Sequence, residues 1–118
     1  MWSVEITDEF EGWFLTLDEV DQDSLRASIR LLEAIGPSLG RPHADTVNGS
    51  KHSNMKELRT QSAGKPLRSF FAFDPRRTAI ILVGGDKTGD KQFYDRMIPI
   101  ADGLYDIYLN ELRKEGLI

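Results

Sequence analysis

The fold turns on the stretch 56-KELRTQSAGKPLRSFFAFDP-75. Residues 55–61 and 67–74 alternate in polarity and are rich in strand-forming side chains, and Ser62-Ala63-Gly64-Lys65 between them reads as a tight turn. With the turn on Ala63-Gly64, Thr60 faces Leu67, Arg59 faces Arg68 and Glu57 faces Phe70. Side chains alternate along a strand, so Glu57, Arg59, Arg68 and Phe70 share one face, while Leu58 and Ser69 point to the other. Like charges directly opposite each other weaken a sheet. An arginine couple of this kind invites an anion, because the guanidinium fork fits phosphate in a bidentate way. The alternative is that Glu57 bridges both arginines and nothing binds. A slip of one residue in the turn would send Arg68 to the opposite face from Arg59.

Downstream, "DPRR" (74–77) places Pro75 at the second position of a type I turn, and a third strand follows over 77–83. Short turns make these three strands antiparallel neighbours. The uninterrupted apolar run "TAIILV" suits a central strand covered on both faces. "GGDKTGD" ends it, and a helical segment starts near Lys91. Pro99 is expected to interrupt that segment, with Ile100, Leu104, Tyr108 and Leu112 forming an apolar stripe beyond the break.

Upstream, "WSVEI" alternates as a short opening strand. "TDEFEGWFLTL" offers Thr7 or Asp8 as an N-cap, with Phe10, Trp13, Phe14 and Leu17 at helical spacing as core positions. Residues 19–35 form a second helix with Leu25, Ile29 and Leu32 on one stripe and Gly36-Pro37 as its stop. "GPSLGRPHADTVNGSKHSN" reads as a long loop. The order strand, two helices, three antiparallel strands, helix is an α+β domain that fills all 118 residues, positions 1–118.

The chain carries a formal net charge of −4, which by itself argues against a nucleic-acid partner. Its distribution is uneven: Met1–Ile35 holds nine acidic residues against Arg26 and Arg30, whereas Lys51–Arg96 holds ten Lys and Arg against five acids. A local patch sets the field a ligand meets. There is no cysteine, which excludes disulfides and thiol chemistry and fits a reducing cytoplasm. No signal peptide or membrane-length apolar run is visible, so a soluble cytoplasmic protein is expected.

Among other candidates, Lys87 lies in a glycine-rich loop that lacks the spacing of a nucleotide-binding phosphate loop. It is either a solvated surface charge or a group acting on a transition state. His43 and His52, with Asp45 alone nearby, make no metal site. His52 is an acid or base only if its loop folds over the sheet. Tyr94 could pack, or stack on a base.

Taken together, "KELR", a glycine turn, "LRSFFAF", an apolar strand and a glycine-rich loop carrying Lys87 resemble the RelE/ParE toxin superfamily, closest to its phage-derived, HigB-like branch. That branch commonly has a "GFxKK"-like stretch where this chain has "GGDKTGDK", which leaves Lys87 and Lys91 as rival counterparts. The resemblance implies a ribosome-dependent mRNA endoribonuclease that needs no metal or other cofactor. In it the 2′-hydroxyl attacks the adjacent phosphate. Arg59 and Arg68 would stabilise the phosphorane and Glu57 or Lys87 would act as base, with Tyr94 or His52 as outside candidates. Lys56, Lys65, Arg76, Arg77, Lys91 and Tyr94 would contact RNA. The implied partners are the ribosome, mRNA and a helix-turn-helix antitoxin of the HigA type. Competing readings are a ParE-like gyrase poison and a non-catalytic binding module of the same fold.

Overall fold

In the computed structural model, which describes Met1–Ile118, the decisive hairpin is built as its turn residues dictate. Strand β3 (Lys56–Ser62) and strand β4 (Lys65–Phe73) are joined by Ala63 and Gly64 at φ +48° and +78°. Positive φ at both central residues is what a two-residue hairpin of the I′ kind requires. The register follows: Ser62 opposite Lys65, Thr60 opposite Leu67, Arg59 opposite Arg68 and Glu57 opposite Phe70. Asp74-Pro75-Arg76-Arg77 then turns the chain into β5 (Ala79–Asp86), with the Arg77 amide donating to the Asp74 carbonyl at 2.7 Å.

The remaining strands are β1 (Val4–Ile6) and β2 (Ala44–Thr46), giving one five-stranded sheet in the order β1-β5-β4-β3-β2. All pairs are antiparallel except β1 with β5, which run parallel. Helices α1 (Asp8–Leu15) and α2 (Glu19–Ile35) pack on one face of the sheet, and α3 (Phe93–Lys114) packs on the other. Thr7 caps α1 by accepting the Phe10 amide at 3.0 Å, and Asp18 caps α2 by accepting the Asp21 amide at 2.9 Å. None of these helices is long and apolar enough to cross a membrane.

Two cores result, one on each face. Phe10, Leu32, Leu58, Phe71 and Ile81 fill the α1–α2 side; Phe70, Ile80, Leu82, Phe93, Met97 and Tyr105 fill the α3 side. A bulge makes both partners fit. Phe70 pairs with Val83 but Phe71 pairs with Ile81, so Leu82 is the extra residue of β5. Leu82 and Val83 consequently both serve the α3 core. Beyond the bulge, Gly84 and Gly85 leave room for a ring on each side. A Cβ at Gly84 would overlap Trp13 from α1, and one at Gly85 would lie 2.9 Å from Phe93 of α3.

Two features depart from the sequence reading. Pro99 does not interrupt the C-terminal helix: α3 runs through it for 22 residues. Proline removes one helical hydrogen bond, but burial of Phe93, Met97, Ala101, Tyr105 and Leu112 along one side holds the helix on the sheet. The long loop is not all loop either. It opens with a 3-10 turn at Gly36–Ser38 and contains β2, whose Asp45 lies opposite Glu57.

Asp74 ties three elements together. Its buried carboxylate accepts the amides of Arg76 and Thr78 at 2.8 and 3.1 Å, the Tyr108 hydroxyl at 2.8 Å and the Arg76 guanidinium at 3.0 Å. Burial alone would raise its pKa, but these donors hold it below the usual value. Its stabilising contribution is therefore present above the unfolded-state pKa, about 3.9, and is lost as pH falls through the lower folded value. Asp74→Asn is expected to cost roughly 2–3 kcal/mol near neutrality and to flatten the acid limb of a stability-versus-pH curve, measured by urea unfolding. Gly84→Ala should destabilise by about 1–3 kcal/mol through the clash with Trp13. Exposed Gly12→Ala, inside α1 with nothing near its Cβ, should stabilise by up to about 1 kcal/mol. Thermal unfolding of the pair checks both signs.

Candidate active site

Glu57 and Arg59 project from β3, and Arg68 projects from β4, all toward the α3 side of the sheet. The Arg59 amide donates outward to the His43 carbonyl at 2.8 Å rather than to β4. Arg59 and Arg68 thus form a non-hydrogen-bonded cross-strand pair, the kind whose side chains lie closest. Glu57 occupies the space between them, its side chain 6% exposed, with Oε1 3.1 Å from Arg68 Nε and 3.9 Å from Arg59 Nε.

Tyr94, in the first turn of α3, donates its hydroxyl to Glu57 Oε1 at 2.7 Å. The ring sits there because Phe93 beside it anchors in the core, over Gly85, and because Tyr94 meets Phe70 edge-on at 6.2 Å. Burial, together with the Glu57 carboxylate, raises the Tyr94 pKa, while Arg68 acts against that rise. The phenol is therefore a neutral donor at physiological pH. On the outer side, Asp45 of β2 lies 3.4 Å from the Arg59 guanidinium and 2.9 Å from Arg41 Nε. Its hydrogen bond with Arg41 lowers its pKa, the Thr46 amide helping.

Lys87 joins from the loop after β5. Its amide donates to the Pro66 carbonyl at 3.0 Å, and its ammonium lies 5.5 Å from the centre of the Tyr94 ring. The loop is held in shape by Asp86, which accepts the Thr88 amide and hydroxyl, and by Asp90, which accepts the Gln92 amide and pairs with Arg96. Four cations (Arg41, Arg59, Arg68 and Lys87) thus meet two carboxylates, Glu57 and Asp45. The cations are not fully satisfied. The Nε groups of Arg59 and Arg68 are both buried, and neither has an aligned hydrogen-bond acceptor, even though Glu57 is close enough for ion pairing.

Clefts open on both sides of this pair. One, about 350 Å³, is lined by Arg41, Asp45, Asn48, Glu57, Arg59 and Tyr94. The other, about 610 Å³, is lined by Ser24, Ser28, His43, Arg59, Gln61 and Arg68, beyond the end of β2. Arg59 borders both. The arrangement can hold an anionic group where the two clefts meet Arg59, with a carboxylate, a phenol and an ammonium at hand for proton transfer.

The structure brings together Glu57, Arg59, Arg68, Lys87 and Tyr94. It does not bring the other basic candidates to them. Lys56 reaches across the opposite face to the Pro37 carbonyl at 3.3 Å. Lys65 is paired with buried Asp21 at the start of α2. Arg76 is bound to Asp74 and Glu5 at the far end of β4, and Arg77 lies over the Trp2 ring at 5.0 Å. Lys91 is exposed and makes no ion pair. His52 bonds Asp106 at 2.8 Å and meets Tyr105 edge-on. Asp106 lies twelve residues along α3 from Tyr94, a rise of about 18 Å. Sequence reasoning missed Arg41, Asp45 and Asn48 as neighbours of the arginines. The only signal was the brief alternation Ala44-Asp45-Thr46 inside a Gly- and Pro-rich stretch.

Comparison with known proteins places this geometry in a family. Residues 12–106 match the family model described as phage-derived protein Gp49-like. Over 101 residues, 85% of this chain and 87% of the relative, the sequence is 50% identical to a protein of Mycobacterium tuberculosis strain H37Rv assigned as toxin HigB3. It is 43% identical over 110 residues to one assigned as toxin HigB2 in the same organism, covering 92% of this chain but 54% of that longer relative. Both the family match and the first relative span Glu57, Arg59 and Arg68 within most of the chain's length. The chain belongs to the phage-derived Gp49-like family, the HigB-like group that its hairpin resembles.

Proposed function

We propose that this chain is the toxin of a toxin–antitoxin pair and that it acts as a ribosome-dependent, metal-free mRNA endoribonuclease. The names of its relatives support the toxin half of the reading. The observation that carries the enzymatic half is the Arg59–Arg68 pair, two permanent charges side by side on neighbouring strands and bordered by open clefts. A gyrase poison or a passive binding module has no need of such a pair.

In this mechanism a phosphodiester sits on the two guanidinium groups with its chain running along the flanking clefts. The 2′-oxygen attacks the adjacent phosphorus, the P–O5′ bond breaks, and the products are a 2′,3′-cyclic phosphate and a 5′-hydroxyl. Arg59 and Arg68 stabilise the dianionic phosphorane, the point at which fixed donors act most strongly. The 2′-hydroxyl proton passes to Glu57 through the Tyr94 hydroxyl, which donates to Glu57 in the resting protein. Lys87 supplies the proton that the departing 5′-oxygen takes up. Arg41 and Tyr94 contact the neighbouring nucleotides. Lys56, Lys65, Arg76 and Arg77 have no part in this reading, because their side chains are engaged away from the cleft. The antitoxin partner, of the helix-turn-helix type, silences the activity when bound.

Production of the chain without its antitoxin should stop incorporation of labelled methionine while thymidine incorporation continues. Arg68→Ala and Arg59→Ala should each lower mRNA cleavage by about 10²–10³-fold, seen by mapping RNA ends, with the far-UV CD spectrum unchanged. Arg68→Lys keeps the charge but loses the planar fork and should recover only part of the activity. A double arginine-to-alanine variant that still arrests growth, or an arrest of DNA synthesis with translation intact, contradicts the nuclease reading.

A further inference from the structure

The sheet edge opposite the arginine pair is also built to receive something. Between β1 and the second half of α3 runs a groove of about 720 Å³, floored by Ile80 and walled by Ile6 on one side and Leu104 and Ile107 on the other. Ile6 and Ile107 are 44% and 56% exposed, and Ile100, one turn before Leu104, is 44% exposed. The rim is acidic: Asp8 and Glu9 come from the first turn of α1, and Glu111 comes from α3. None of these three carboxylates takes part in an ion pair. The outer side of β1 has no neighbouring strand.

We propose that this groove is the docking surface for an amphipathic helix of a protein partner, one whose apolar stripe is flanked by Lys and Arg. The spacing supports a helix. Positions 100, 104, 107 and 111 recur every three or four residues, so they form one stripe along α3 about 16 Å long, or three turns. A second helix laid along such a stripe packs its own ridge between these side chains. A strand is a poorer occupant, since β1 offers only three residues of edge. Charge decides the rest. A twofold dimer through this groove would set Asp8, Glu9 and Glu111 against their own copies, and an anionic membrane would meet the same repulsion. A basic helix instead pairs its charges with three carboxylates that have no other counter-ion.

The position has a consequence for regulation. In the sheet order, β5 separates β1 from β4, and Arg59 lies one strand farther on. A helix held here leaves both clefts beside the arginines uncovered. Such a partner would anchor this chain or carry it to a site without plugging the anion-binding face.

The test uses two synthetic helical peptides of about four turns with the same leucine stripe, one flanked by lysines and the other by glutamates. Each is titrated into the ¹⁵N-labelled full chain. The lysine peptide should shift the amides of Ile6, Leu104 and Ile107, bind more weakly as salt rises, and lose about tenfold in affinity against Ile107→Lys or Glu111→Lys. Both positions are exposed, and thermal melts of the variants check that the fold survives. Equal binding of the two peptides, shifts clustered elsewhere, or undiminished affinity for the variants overturns the proposal. So does a concentration-dependent dimer in sedimentation velocity that Ile107→Lys dissolves, because the occupant would then be a second copy. Binding is read without any cleavage, so failure here leaves the nuclease reading intact, and an inactive nuclease leaves the groove intact.

Discussion

Two guanidinium groups held opposite each other on adjacent strands repel by an amount on the order of a few kcal/mol at surface-like dielectric. Glu57 makes that pairing tolerable, because its buried carboxylate lies within ion-pairing reach of both. Everything around the site follows from keeping Glu57 in place. A buried carboxylate needs donors, and Tyr94 supplies one. Tyr94 is fixed by the first turn of α3, whose Phe93 packs over Gly85, and the same loop carries Lys87. The α3 core, the glycine pair at the end of β5 and the hairpin register therefore converge on one cluster of charges.

The compensation is incomplete, and that matters for function. Asp45 and Glu57 offset part of the charge from Arg41, Arg59, Arg68 and Lys87, which leaves a cationic surplus between two clefts. A site with unmatched charge is less stable than one in which every charge is paired, and an arriving anion supplies the missing counter-charge. Local destabilisation of this kind is common where a protein must bind what it does not yet hold.

The parts of the structure legible in the sequence are those set by neighbouring residues. Ala63-Gly64 defines a two-residue turn, and this alone fixes Arg59 opposite Arg68 and places Glu57 beside them. Thr7 before an acidic turn and Gly36 after an apolar stripe bound the two N-terminal helices for the same reason. What escaped depends on distant partners. Strand β2 exists because β3 offers it an edge, so Asp45 reaches Arg59 through pairing that no local pattern announces. Pro99 reads as a helix break, but the packed stripe of α3 overrides local propensity. Lys65 and Arg76 look free in the sequence, and only the fold reveals Asp21 and Asp74 as their partners. The uneven charge of the chain has the same character: Glu5 and Asp21 of the acidic N-terminal segment pair with Arg76 and Lys65 of the basic centre, so the fold decides how much of that basic charge faces a ligand.

The account rests on Arg59 and Arg68 acting as a single receptor for a phosphodiester. Its most direct test is an NMR titration that follows the two Nε–Hε resonances while a 2′-deoxy-blocked, uncleavable RNA trinucleotide is added to the full chain. Both resonances should move together and saturate along one binding curve, and each should stop responding when the other arginine is replaced. Resonances that stay fixed while the oligonucleotide binds, or that respond independently of each other, would contradict it.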